Sequence, residues 1–290
     1  MSQAESQAPD GVLLVDKPSS FTSHDIVAIA RGALSARRIG HTGTLDPFAT
    51  GLLVLLVGQA TRLAQFVDGE PKIYDATIVF GAETDTDDAT GAVTREAPLP
   101  ATQDVERAIA ILTGQLEQVP PAYSAKQSGG VRAYDAARKG QPLDLRASSV
   151  VVHGWTVTSR DESSLTARIE CSGGTYIRSL GRDLGRLSSS AAHVSALRRV
   201  SSGRFSVAEA CSLDALRARR HTLLDMRSAI ASLPAQSLSF DELGRVAHGN
   251  PVAATIEGER AILVAGSGKL AAIAVRSGNS WQPVTVFPNA

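Results

Sequence analysis

Residues 11–16 and 52–57 are apolar almost without interruption, while 72–82 and 165–171 alternate. A short continuous run of this length reads as a buried strand, and alternation as a strand with one covered face. In the alternating segments Tyr74, Ala76, Ile78 and Phe80 share one side, and Leu165, Ala167, Ile169 and Cys171 point inward opposite Thr166, Arg168 and Glu170. A further strand is predicted over 149–158. Helical spacing takes over elsewhere. Thr22-Ser-His-Asp25 has the spacing of a capping box and opens an amphipathic helix to about Ala33. Helices are also predicted around 60–67 and over 104–112, where Val105, Ala108, Ile109 and Leu112 form a stripe. Another starts at Thr175, with Ile177, Leu180, Leu184 and Leu187 buried and Tyr176 and Arg178 near its first turn. That end offers free N–H groups and a positive dipole, suited to a phosphate or carboxylate. Strands with interspersed helices and no strict βαβα alternation predict an α+β fold.

The texture changes near Leu233. Beyond it, β-like pieces at 261–264, 270–275 and 283–287 are separated by Gly-Ser and Gly-Asn turns, which predicts a small β-rich second domain over roughly the last 55 residues. A segment rich in Gly, Lys and Arg between Pro120 and Pro142 reads as an excursion from the core. With 43% hydrophobic and 20% charged residues in 290, the chain can bury a substantial core. Its longest apolar run, 52–57, is far below the roughly 20 residues of a membrane helix, and its start lacks a signal peptide's pattern, so a soluble cytoplasmic protein is expected. Cys171 and Cys211 lack metal-ligand spacing and are expected to be buried thiols. Net charge is zero, yet cations cluster at Arg37-Arg38 with His41, at Arg198-Arg199 with Arg204, and over 217–221, against an acidic group of Asp85, Asp87 and Asp88. A basic face can therefore exist on a neutral chain.

Several motifs fail on context. Gly266-Ser-Gly-Lys-Leu-Ala271 matches a dinucleotide fingerprint, but too little chain follows for a βαβ unit, so a hairpin turn is predicted. Ser23, His24 and Asp25 are triad residue types on one helix, where neighbours point apart. The strongest chemical candidate is Asp46, in Gly40-His-Thr-Gly-Thr-Leu-Asp-Pro-Phe-Ala-Thr-Gly-Leu-Leu53. Gly40 and Gly43 allow unusual backbone conformations, and Pro47 biases Asp46 toward an extended one. Asp-Pro is also a common turn opener, so on the loop alone a structural aspartate is the commoner outcome.

Four motifs in order alter that balance: residues 40–51; Lys72-Ile-Tyr74 with Gly81, Thr84-Asp85-Thr86 and Asp88; Gly174-Thr-Tyr-Ile-Arg178; and His193 with Leu197-Arg-Arg199 and Ser202-Gly203. With these the chain resembles the TruB family of tRNA pseudouridine synthases. The resemblance implies a mixed, mainly antiparallel sheet flanked by helices, as a catalytic domain over 10–232 with an RNA-binding excursion at about 120–148. It also implies a tail over 1–9 and a PUA-like RNA-binding domain over 233–290. It implies isomerisation of uridine to pseudouridine at position 55, in the TΨC loop of tRNA, with Asp46 catalytic. Arg178 is then its cation, Tyr74 stacks on the base, Tyr176 and Leu197 line the uracil pocket, and His41 helps displace the base. No metal, organic cofactor, membrane or obligate protein partner is expected, and a monomer is. One departure stands out: Tyr123-Ser-Ala-Lys-Gln127 carries Gln127 where members often have lysine. The alternative is a tRNA-binding folding factor that keeps the scaffold without catalysis.

Overall fold

The computed structural model describes residues 9–67, 69–124, 126–128, 131–138, 141 and 143–288. The polar tail expected over 1–9 therefore lies outside the described residues except for Pro9, and so does Pro142 at the end of the excursion. The body follows the order β1 (Gly11–Lys17), α1 (Ser23–Leu34), β2 (Thr50–Val57), β3 (Lys72–Phe80), α2 (Thr102–Ile111), β4 (Gly114–Gln118), β5 (Ser148–Arg160), β6 (Ser164–Cys171), α3 (Ile177–Leu187) and β7 (Ala192–Ser202). Its sheet runs β1-β2-β7-β3-β6-β5-β4, with short strands added beside β1, β2 and β7. Pairing is antiparallel throughout this path except between β2 and β7, where Thr50 and Gly51 lie parallel to Arg198 and Arg199.

The two hydrophobic patterns have distinct causes. From β1 and β2, Leu13, Val15, Leu53, Leu55 and Val57 face a core shared with α1, α2 and α3. Their neighbours Val12, Leu14, Leu52, Val54 and Leu56 face the opposite way, into a core shared with Ile262, Val264, Leu270 and Ile273 of the C-terminal sheet. A strand covered on both sides needs apolar residues at every position. β3 and β6 are covered on one face, so Tyr74, Ala76, Ile78 and Phe80 are buried while the residues between them are partly open. At α1 the capping box forms: Thr22 Oγ1 accepts from Asp25 N at 3.1 Å and Asp25 Oδ2 accepts from Thr22 N at 2.8 Å.

The second sheet comprises β8 (Ala235–Ser237), then, after α4 (Phe240–Ala247), β9 (Val252–Ala253), β10 (Arg260–Val264), β11 (Leu270–Ser277) and β12 (Ser280–Val286). Its order is β8-β10-β11-β12-β9, and the Gly266–Ala271 motif is the turn between β10 and β11, with Gly268 at φ +84°. The fold is thus the expected α+β type with a β-rich C-terminal part. Four expectations need correction. Residues 60–67 give only a 3-10 helix, Gly58–Leu63. Leu187 is the last residue of α3 and is 44% exposed rather than buried. Cys211 is half-buried rather than buried, lying on a two-residue edge strand. The loop glycine with left-handed backbone is Gly51, at φ +100°, and neither Gly40 nor Gly43.

At Gly51 a Cβ would sit 2.3 Å from the Arg199 carbonyl oxygen. Gly51→Ala is therefore expected to lose about 2–4 kcal/mol in urea unfolding, through backbone strain and the broken β2–β7 contact. Gly32→Ala, on the open face of α1 with no atom within 4 Å of the added carbon, should instead gain about 0.5–1 kcal/mol.

Candidate active site

Asp46 lies in the loop that enters β2, and that loop is held at several points. Ser23 Oγ, buried at the start of α1, accepts from Leu45 N at 2.9 Å and donates to Leu45 O at 3.2 Å. Ser20 N donates to Pro47 O at 2.8 Å, and Leu45 and Ala49 are buried on either side. Arg199, also buried, donates from Nε to Leu52 O at 2.7 Å and from Nη2 to Gly43 O at 3.0 Å. Ser23, set aside as a triad residue, is thus a brace for the loop. Asp46 projects from this frame with its side chain 32% exposed.

Arg178, in the first turn of α3, is 4% exposed and meets Asp46 from below. Its Nη2 donates to Asp46 Oδ1 at 2.9 Å. Nε is 2.9 Å from Oδ2, yet its N–H is not aimed at that oxygen, so this second contact is one of charge rather than an aligned hydrogen bond. The remaining donors go to Thr86 O at 2.8 Å and Tyr123 O at 2.9 Å. Behind the guanidinium lies a second carboxylate, Asp88, with Oδ2 3.5 Å from Nη1. Asp88 Oδ1 is fixed by Thr86 Oγ1, Thr90 N and Thr90 Oγ1. Burial pushes the Asp46 carboxyl above its ordinary value; Arg178 pulls it back, and Asp88 adds to the push.

Of the other residues singled out from sequence, Tyr74 and Tyr176 lie within electrostatic reach of Asp46, while Leu197 and His41 flank the two ends of its loop. Tyr74 is buried on β3, opposite Arg199 of β7, and its hydroxyl is pushed up by burial while Arg199 draws it down. Tyr176 caps α3, its backbone N–H and C=O both bound to the Gln118 side chain at 2.8 and 3.1 Å. Its hydroxyl is likewise pushed up by burial. The charges of Asp46 act on both tyrosines. Leu197 is buried on β7 opposite Ala76, and its carbonyl accepts from Thr50 Oγ1 at 3.5 Å at the end of the Asp46 loop. His41 stands edge-on to His24, ring centroids 5.6 Å apart, and burial, then His24 and Arg199, hold it below its ordinary value. Its Nδ1 is buried with no hydrogen-bond partner among the described residues.

Three groups escaped sequence reasoning. Asp88 stood in an acidic run that resembled a surface counterweight and in the second of the four motifs, but no role at the site was drawn for it. In the structure Asp87 and Asp88 are buried, the former 2.9 Å from Arg182 and the latter behind Arg178. Lys17 is fully buried with Nζ donating to Phe21 O at 2.8 Å and Pro18 O at 3.0 Å; burial pushes it down to about 8, opposed by Asp46. Arg199 read as one half of a basic pair, whereas Arg198 pairs with Asp16 at 2.8 Å and Arg199 is interior. The available signal was position: Lys17 ends an apolar run and Arg199 alternates with Leu197, so both belong on buried faces. The side chain of Gln127 lies outside what is described.

Among the described residues no group of three or more His, Cys, Asp or Glu side chains is placed to hold a metal ion, and no helix is long and apolar enough to cross a membrane. What the site offers is one carboxylate, partly open to solvent, fixed by a buried cation and flanked by tyrosines. That is an equipment list for nucleophilic or acid–base work on a planar, apolar-faced substrate.

Comparison with known proteins gives the same direction. The model of the TruB family pseudouridylate synthase N-terminal domain matches residues 31–177. The tRNA pseudouridine synthase B of Thermobifida fusca (strain YX) is 43% identical over 289 residues, covering 96% of this chain and 98% of that protein. That of Aromatoleum aromaticum is 40% identical over 276 residues, covering 93% and 90%. Among solved structures, a chain of an H/ACA RNP bound to a substrate RNA containing 2'-deoxyuridine shares the fold, with a TM-score of 0.71 over 96% of this chain and 84% of that one at 22% identity. Identity of this extent, spanning both sheets and every motif around Asp46, places the chain in the TruB family of pseudouridylate synthases.

Proposed function

We propose that the protein isomerises uridine to pseudouridine in the TΨC loop of tRNA, at the position conventionally numbered 55, with Asp46 as the catalytic carboxylate. The observation that carries this reading is the Asp46–Arg178–Asp88 arrangement: a partly open carboxylate bound to an interior guanidinium at 2.9 Å, itself backed by a second buried carboxylate. The curated relatives, named for tRNA and pseudouridine synthesis, support the substrate class.

The reaction breaks the bond between N1 and the sugar, turns the base and joins C5 to the same sugar carbon; C5 loses a proton and N1 gains one. Atoms and oxidation state are conserved, so one nucleophile and proton transfers suffice. Asp46 supplies the adduct-forming carboxylate, which must be ionised to act. Arg178 keeps it so against the cost of burial. A stacked uridine is reached only after flipping, at a cost of a few kcal/mol, and stacking on Tyr74 offsets about 1–3 kcal/mol of it. Tyr176 and Leu197 close the pocket around uracil, and His41, at the entry to the Asp46 loop, helps displace the base. Residues 10–232 form the catalytic part, and 233–290 a PUA-like part that adds RNA contacts; the enzyme works as a monomer among the tRNAs of the cytoplasm.

The test is to incubate unmodified tRNA with the purified protein and map pseudouridine. One site, in the TΨC loop, is expected. RNA that is bound but unmodified would overturn the reading in favour of a folding factor, and release of free uracil would favour a hydrolase.

A further inference from the structure

Beside the catalytic loop an open cleft of about 740 Å³ is bounded by Thr42, Gly69, Glu70, Lys72 and Arg204, none of which the site described above uses. Lys72 begins β3 and stands two residues before Tyr74, on the same face of the strand. It is half-buried, and among the described residues nothing accepts a hydrogen bond from its ammonium. A second cation stands close by. The space where a Cβ on Gly43 would sit is 3.3 Å from Arg199 Nη1 and 3.4 Å from Lys72 Nζ, so the two nitrogens flank one point of the catalytic loop. Burial and then Arg199 depress Lys72, and Cys171 and Glu70 offset this only in part. Glu70 shares the cleft, but its Oε1 is turned to Gly173 N at 2.8 Å.

Holding an ammonium without a hydrogen-bonded acceptor near a buried guanidinium costs free energy that Glu70 offsets only in part, and an anion in the cleft would complete the site. Arg204 adds a further positive charge on the rim, and Thr42, next to His41, adds a hydroxyl. We infer that this cleft binds a phosphodiester group of the RNA strand that carries the target uridine, with Lys72 as the main contact and Thr42 and Arg204 as its flanks. The inference rests on the proposed function. His41 and Thr42 are consecutive, so the group that displaces the base and the group that grips the backbone are set by the same turn of chain.

The experiment measures binding of an unmodified TΨC stem-loop to wild type, Lys72→Met and Lys72→Arg over a range of salt, with turnover on the same RNA. For Lys72→Met the Kd should rise about tenfold, and the slope of log K against log salt should fall by about 0.7–0.9, as for one lost phosphate contact. The loss should fall on KM rather than kcat, and Lys72→Arg should recover most of it. In a set of stem-loops each carrying one neutral methylphosphonate near the target, one should cost wild type the same factor and cost Lys72→Met nothing more. Unchanged Kd and salt slope in Lys72→Met would overturn the site, as would a loss confined to kcat, or equal damage in the Met and Arg variants. Wild type that binds the stem-loop but makes no pseudouridine would sink the proposed function instead, and the salt slopes would still decide the phosphate site.

Discussion

Asp46→Asn is expected to lower pseudouridine formation by ~10⁴-fold or more, with RNA affinity kept and the thermal midpoint not reduced. The first part follows from chemistry: an amide is isosteric with the carboxylate but neither forms the adduct nor carries the charge, and removal of a nucleophile that acts as part of a unit costs nearly the whole effect of the unit. The last part follows from linkage. The folded carboxyl is pushed up, with burial as the largest cause, so between its unfolded and folded values the native state holds more protons and stability falls as pH rises. At neutral pH the ionised Asp46 therefore weighs against the fold. Asparagine removes that weight, although a side chain one-third exposed feels it only in part. Binding depends on the cations and tyrosines around the loop, which the change leaves alone. Single-turnover assays, filter binding and a melting curve give the three readings. Turnover within tenfold of wild type would remove Asp46 from the chemistry.

How far the sequence announced this depends on whether a feature is local. The Thr22–Asp25 capping box, the alternation in β3 and β6 and the hairpin at Gly268 are each written in a few consecutive residues, and the structure has all three. One local signal was passed over: Ser239-Phe-Asp-Glu242 has the same capping-box spacing, and α4 starts there, with Ser239 Oγ accepting from Glu242 N at 3.3 Å. The continuous runs of β1 and β2 were legible as buried strands, but their two different partners were not, because the second layer comes from distant residues between 205 and 287. Charge was least legible. Asp88, Lys17 and Arg199 look like surface residues by type, and only tertiary packing makes them interior. Asp46 lay between these cases. Its loop was conspicuous, while its pairing with a residue 132 positions away was supplied by family resemblance alone.

That pairing sets the second large effect. In Arg178→Met the methionine fills much of the same space, yet Asp46 and the buried Asp88 both lose the guanidinium between them. Breaking a buried pair in this way costs about 3–5 kcal/mol, because the remaining charge has no partner. Arg178 is also the largest influence holding the Asp46 carboxyl down. Without it the carboxyl moves further above its ordinary value, so the acid limb of the kcat profile shifts to higher pH, and turnover at neutral pH falls by ~10³-fold. The stability loss should shrink as pH falls through the raised Asp46 value, since a protonated carboxyl needs no counter-ion. Arg178→Lys should restore charge but little rate: one ammonium cannot serve Asp46, Thr86 O and Tyr123 O in the fixed geometry that the planar fork provides. The decisive comparison is Arg178→Met with Asp88→Asn. Removing the second orphaned carboxylate should return part of the lost unfolding free energy and move the acid limb back toward wild type, because Asp88 is among the groups that push Asp46 up. Strictly additive losses in the double variant would mean that Asp46, Arg178 and Asp88 are three separate residues rather than one charge-balanced unit.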